Sequence, residues 1–193
     1  HYSVYSLIVE ENTPFYTWYR QGRLQLPDED EELAMYELVM EEMEKAGYQQ
    51  YEISNFCRPG WASRHNLTYW HNEEYYGIGA GAHGYVRQSR YENERGIPAY
   101  IERVRRGERP VVEVHPVSRR EAMENFMILG LRLRQGVEWG RFRQQFGMSI
   151  HDAFPGVVQH LEEEGLLEVD GRGLRLTRRG LLLGNHVFAA FLA

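Results

Sequence analysis

Leu166-Leu167-Glu168-Val169-Asp170-Gly171-Arg172-Gly173-Leu174-Arg175-Leu176-Thr177 reads as two short strands joined by a four-residue turn. Branched apolar residues stand on both sides, and Asp170-Gly171-Arg172-Gly173 has the Asp and Gly content of a tight hairpin connection. Upstream, Ser118 and Glu121 have the spacing of a capping box, and Ala122, Phe126, Leu129 and Leu133 form one apolar helical stripe. Further helices are expected at about 138–146 and 149–164, and a last one from about 178 to 191. Three helices, a two-stranded wing and a closing helix make a winged-helix-like module.

The first half has another grammar. Residues 2–9 are rich in Tyr, Val and Ile and are expected to form a strand. Pro14 opens a short helix through about Gly22. Asp28 caps a second helix, whose first turn holds Glu29, Asp30, Glu31 and Glu32 at the positive end of the helix dipole. Leu33, Tyr36, Met40 and Met43 share a face suited to core packing, and Lys45 and Gly47 close the helix. A strand over 48–55 completes a strand–helix–strand order typical of parallel α/β units. Residues 56–74 read as a loop with some local structure, then come short strands at 75–79 and 85–93 and a helix from about Pro98 to Arg106. Pro110, Pro116 and the Val111–Val114 run read as a linker. The expected fold class is therefore α/β (α+β), with a division near residues 113 and 114. The chain opens in a strand with no initiator Met, and it is expected to be cut from something longer.

Composition narrows the chemistry. The single cysteine, Cys57, excludes an internal disulfide and a cysteine-held iron–sulfur cluster unless ligands come from elsewhere. A reducing, cytoplasmic setting fits that usage. No apolar run approaches the ~20 residues needed to span a bilayer. Of the 193 residues, 22 are Lys or Arg and 28 are Asp or Glu, a net charge of −6. The arginines are scattered, and the later half carries the Glu162–Glu164 run, so duplex DNA is not an expected partner.

Two motifs carry possible function. The first is His65-Asn66-Leu67-Thr68-Tyr69-Trp70, with His71 directly after it, on what reads as a loop. A neutral imidazole is a good axial ligand for haem iron. Tyr69 and Trp70 offer flat surface for a porphyrin, and Arg58 and Arg64 are near enough in sequence to pair with propionates. On the residues alone the packing reading is the stronger, with His65 bonded to a carbonyl. His71 is a reserve ligand. The second motif is Gly77-Ile78-Gly79-Ala80-Gly81-Ala82-His83-Gly84, in which Gly79, Gly81 and Gly84 have dinucleotide-binding spacing. Residues 85–91 have strand rather than helix composition, so these glycines are expected to let backbone approach a ligand or a neighbouring strand closely. Cys57 as a nucleophile lacks an orienting acid, and His151, His160 and His186 are expected in surface or capping roles.

Tyr51-Glu52-Ile53-Ser54-Asn55-Phe56-Cys57-Arg58-Pro59-Gly60, the His65–Trp70 block and Gly77–Gly84 occur in an order that resembles the oxygen-independent coproporphyrinogen III oxidase-like radical-SAM proteins. Tyr5–Leu7, Thr13–Phe15, Leu26–Asp28 and Leu176 to Phe188 agree as well. The H-N-x-x-Y-W pattern filled by His65, Asn66, Tyr69 and Trp70 resembles that of the family's haem-chaperone branch. The resemblance implies haem binding by these four residues, with His65 on the iron. It implies that Gly79, Gly81 and Ala82 lie as backbone on the S-adenosyl-L-methionine side or at the barrel edge. By resemblance, residues 1–113 are the last strands and helices of a radical-SAM partial β/α barrel and its extension. Residues 114–193 are then the family's winged-helix-like C-terminal domain. The family's three-cysteine motif for a 4Fe-4S cluster is not among these residues, so this chain alone is expected to be inactive as an oxidoreductase.

Three functions stand as expectations. One is haem binding and transfer to haem-accepting proteins, in the cytoplasm and peripheral to the membrane during delivery. Another is a fragment of an oxygen-independent coproporphyrinogen III oxidase of porphyrin biosynthesis. The third is a winged-helix module for nucleic acid or protein.

Overall fold

Asp28 fixes the start of the longest helix. In the computed structural model, which describes residues 1–192, its side chain accepts from the Glu31 backbone N–H at 2.9 Å, and the Glu31 carboxylate accepts from the Asp28 N–H at 3.1 Å. This reciprocal capping box opens α2 (Glu29–Lys45), after α1 (Pro14–Arg20), which is capped by Thr13 with proline at its first position. The chain divides into two compact units, 1–62 and 63–193.

The first unit is built on a three-stranded sheet. It contains β1 (Tyr2–Ser3), β2 (Gln49–Glu52) and β3 (Asn55–Cys57), in the order β1-β3-β2. Both neighbours pair antiparallel with β3, so β1 and β2 run the same way with β3 between them. The expected parallel relation survives, but not as a hydrogen-bonded pair. Two boundaries are corrected. The strand expected over 2–9 ends at Ser3, and Tyr5, Leu7 and Ile8 are exposed, so no packed neighbour holds them extended. The strand expected over 48–55 is a hairpin, because Glu52 turns the chain: its buried carboxylate accepts from the Ser54 N–H at 2.9 Å and from the Asn55 side chain. The α2 stripe is half-buried at best, and Tyr36 ties α2 to this hairpin by donating to the Ile53 carbonyl at 2.8 Å.

In the second unit, α3 (Arg64–Trp70) precedes β4 (His83–Val86) and β5 (Ser89–Asn93), and α4 (Ile97–Arg105) and β6 (Val111–Pro116) come after them. The three strands form an antiparallel sheet in the order β4-β5-β6. Arg87 and Gln88 join β4 to β5 with positive φ at both positions, the twist a two-residue hairpin turn requires. The linker expected at 108–116 is thus largely a strand, and the 113/114 division falls inside it. Pro110 and Pro116 have the look of linker residues, yet Pro116 stands at the end of an edge strand, where a missing N–H is tolerated.

The remainder holds α5 (Arg119–Leu131), β7 (Val137–Glu138), α6 (Trp139–Phe146), α7 (Ile150–Ala153) and α8 (Val157–Glu163). The hairpin β8 (Leu167–Val169) and β9 (Gly173–Leu176) comes next, then α9 (Arg178–Leu182) and α10 (Gly184–Ala190). The expected hairpin is present with Leu167 opposite Leu176. Asp170 shapes its turn, accepting from the Arg172 and Gly173 N–H groups at 2.8 and 3.0 Å. These bonds, with Arg175 alongside, hold the Asp170 carboxyl below its ordinary range. The wing gains a third strand, in the order β7-β9-β8. Gly173 permits this, since a Cβ there would lie 2.0 Å from the Val137 carbonyl oxygen. The helix expected over 149–164 breaks at Pro155 and Gly156, and that expected over 178–191 breaks at Leu183.

The core lies in this last region. Phe142 is fully buried, with ring centroids 5.4 Å from Phe126, 4.7 Å from Phe146 and 6.3 Å from Phe154, and Phe154 meets Phe191 at 5.2 Å. On α5 the buried residues are Met123, Phe126, Met127 and Leu131, so the inward face is rotated from the expected stripe, of which Phe126 and, just past the helix end, Leu133 are buried. Ser118 accepts from the Glu121 N–H at 3.2 Å, while the Glu121 carboxylate turns to His115 at 2.9 Å. The fold is mixed helix and sheet with no closed barrel among the described residues.

Candidate functional site

The His65–Trp70 block is a helix and not a loop. Ser63 caps it, accepting from the Asn66 N–H at 3.3 Å, and His71 is its C-cap, donating its backbone N–H to the Leu67 carbonyl at 2.8 Å. Helical spacing then sorts the block into two faces. His65 and Tyr69, four residues apart, meet with the Tyr69 hydroxyl 3.1 Å from His65 Nε2 and the rings edge to face at 4.8 Å. Tyr69 is backed edge to face by Tyr75 at 4.6 Å. His65 is exposed, and Arg64 beside it is exposed too.

Trp70 serves the opposite side. The Arg132 guanidinium lies 4.4 Å from its ring centroid, a cation–π contact that covers one indole face. Trp70, His71, Phe126, Gly130, Val137 and Arg141 line a small cavity of about 20 Å³. It has room for one water and none for a macrocycle. The buried Trp70 Nε1 has no hydrogen-bond partner in the protein. Asn66, four residues before Trp70, belongs to the same helix face.

His71 is drawn into the module C-terminal to it. Its Nδ1 accepts from Arg141 Nη1 at 3.1 Å. Burial, and then the Arg141 charge, hold the His71 imidazole below its ordinary value of 6.5. An unfolded chain therefore takes up this proton first as pH falls below 6.5, so stability falls through that range and the loss levels off, without being regained, below the depressed folded value. Urea unfolding should show a loss of stability between about pH 7.5 and about pH 5.5 that shrinks in His71→Gln. An equal loss in the variant would assign the effect to other groups.

The glycine segment is laced to the sheet beside it. Asn93, 3% exposed, donates from Nδ2 to the Gly77 and Gly79 carbonyls, both at 3.1 Å. The Tyr91 hydroxyl accepts from Gly77 N–H at 2.8 Å, and the Tyr100 hydroxyl accepts from Gly79 N–H at 3.2 Å. Gly81 N–H and the Ala82 carbonyl bond to Glu94 and Asn93 backbone, each at 2.9 Å. Gly84 packs so closely on Tyr91 that a Cβ would lie 2.2 Å from its ring. A strand comes next, as expected, and not the helix that dinucleotide binding needs.

Cys57 is 3% exposed in β3, and among the described residues no group of three His, Cys, Asp or Glu is placed to hold a metal ion. The residues present do not fit a 4Fe-4S cluster. His160 and His186 both face Glu164, at 3.6 and 3.3 Å, and His151 stacks on Trp139. No described helix is long and apolar enough to cross a membrane. Sequence reading missed Arg132 and Arg141 as partners of the block, which lie more than 60 residues away; only the fold brings them there.

Residues 117–183 match the family model for the HemN C-terminal domain. The heme chaperone HemW of Bacillus subtilis (strain 168) is 48% identical over 192 residues, covering 100% of this chain and 51% of that protein. HemW of Lactococcus lactis subsp. lactis (strain IL1403) is 42% identical over 192 residues, covering 100% of this chain and 50% of that protein. Coproporphyrinogen III oxidase (HemN) from Escherichia coli, a radical SAM enzyme, shares the fold. Its TM-score is 0.69 at 17% identity, over 91% of this chain and 45% of that one. The fold is that of the C-terminal region of the coproporphyrinogen III oxidase. The chain spans about half the length of the relatives it matches. Along its whole length the chain is similar to the C-terminal half of HemW-type proteins, and its residues 117–183 match the HemN C-terminal domain.

Proposed function

We propose that this chain carries the haem-binding segment of a haem chaperone, with His65 as the iron ligand. The observation that carries the reading is the exposed His65 at the start of α3, its imidazole in reach of solvent on a helix anchored behind by Trp70 and His71. A single imidazole at the surface suits a protein that must hold haem and also release it. Tyr69 offers a flat ring beside the ligand, and Arg64 suits a propionate. Trp70 holds the helix in place and, with one face under Arg132, has a single face left for stacking. For Gly79, Gly81 and Ala82, the backbone bonds to Asn93 and Glu94 support a barrel-edge role more directly than contact with S-adenosyl-L-methionine. That cofactor and the cluster belong, on this reading, to the other half of the full-length protein. Cytoplasmic placement, peripheral to the membrane during delivery, and haem-accepting proteins as partners complete the proposal. The oxidase reading is weaker, because the likeness to the oxidase is one of fold.

Titration of haem into the chain should give a saturable Soret shift near one equivalent. Absorbance that tracks free haem throughout would sink the proposal.

A further inference from the structure

The two nitrogens of an imidazole are not equally open to a macrocycle. Nδ1 sits beside its own Cβ and the helix backbone, whereas Nε2 points outward and is the less hindered ligand atom. In His65 that outward nitrogen is already engaged, with the Tyr69 hydroxyl 3.1 Å away. The pair is built into α3 by its four-residue spacing. Tyr69 is itself held by Tyr75, whose backbone N–H and carbonyl bond to Tyr85 at 2.8 and 2.9 Å. The hydroxyl is therefore presented to His65 by a ring fixed against the sheet.

We propose that the Tyr69 hydroxyl competes with haem iron for Nε2 of His65 and so sets how readily haem is released; this deepens the haem reading and rests on it. Either tautomer leads to the same conclusion. If Nε2 accepts from the hydroxyl, its lone pair is occupied. If Nε2 carries the proton and donates, that proton must move to Nδ1 before the lone pair is available. Iron takes Nε2 only when the hydrogen bond opens, and the bond re-forms when iron leaves. Tyr69 is thus a positioning residue with two parts of opposite effect: a ring that supports the ligand and the porphyrin, and a hydroxyl that displaces iron.

Tyr69→Phe and Tyr69→Ala separate them. In Tyr69→Phe the ring and its contact with Tyr75 remain, so haem should bind about twofold to tenfold tighter, the range of one modest hydrogen bond, mainly through slower release to an apo-globin acceptor. Tyr69→Ala, lacking ring and hydroxyl, should bind more weakly than wild type. A second readout needs no haem: in the unloaded protein, ¹⁵N NMR should show the His65 Nε2 resonance moving in Tyr69→Phe, which a purely packing role would leave in place. Unchanged or weaker binding by Tyr69→Phe, with His65→Ala still losing haem, would overturn this inference alone. Haem binding unaffected by His65→Ala would overturn both it and the haem-ligand reading beneath it.

Discussion

His65→Ala should weaken haem binding by roughly tenfold to a hundredfold or more and change the Soret spectrum of the complex. The reason is what remains once the imidazole is gone. The α3 helix keeps its Ser63 cap and its Trp70 and His71 anchors, so the variant should fold normally and lose only the ligand. His71, the alternative ligand six residues on, is half-buried beside Arg141 and lines a cavity with no room for a macrocycle, so it is poorly placed to compensate. His83→Ala and Cys57→Ser should leave spectrum and affinity unchanged. His83 is exposed but starts β4, away from α3 in sequence, and Cys57 is buried in β3. An unaltered spectrum and affinity in His65→Ala would return the histidine to a structural role.

Phe142→Ala should destabilise the second unit by about 3–5 kcal/mol, as measured by chemical denaturation monitored by circular dichroism. Phe142 is fully buried and touches rings from α5, α6 and the segment after α7, so its removal leaves a cavity bounded by three separate elements that cannot all close on it. A loss under about 1 kcal/mol would mean that the aromatic cluster is not the core of this unit. Because α3 leans on Arg132 and Arg141 of the same region, the variant should also bind haem less well once partly unfolded.

The wing was legible because its signals are local. Asp170 and Gly173 dictate the turn, and α2 announces itself through Asp28 and Glu31 in four consecutive residues. What was not legible depends on distant partners. Ser63 is a helix-capping residue, but Asn66, Thr68, Tyr69 and Trp70 have middling helix propensity, and distant contacts such as Trp70 with Arg132 and His71 with Arg141 support the helix there. The strand at Val111–Pro116 has β-branched residues at 111, 112 and 114, but the prolines on either side mask that signal, and its pairing with β5 is what makes it a strand. At Pro155, by contrast, the break was written in the sequence, and the proline outweighs the apolar periodicity that runs through it. For the candidate site, the identity of His65 was legible, while its partnership with Tyr69 emerges only once the block is helical and positions four apart share a face.

Arg132 and Arg141, clasping Trp70 and His71, have a bearing on how such proteins can diversify. Residues 63–193 form one compact unit, so α3 and the winged module make a single structural cassette. Recombination between relatives is least disruptive when its crossover falls before Ser63. A crossover between α3 and α5 mates each block with foreign arginines. Lineages that exchange the winged module alone must then re-evolve the seat of the histidine helix along with it.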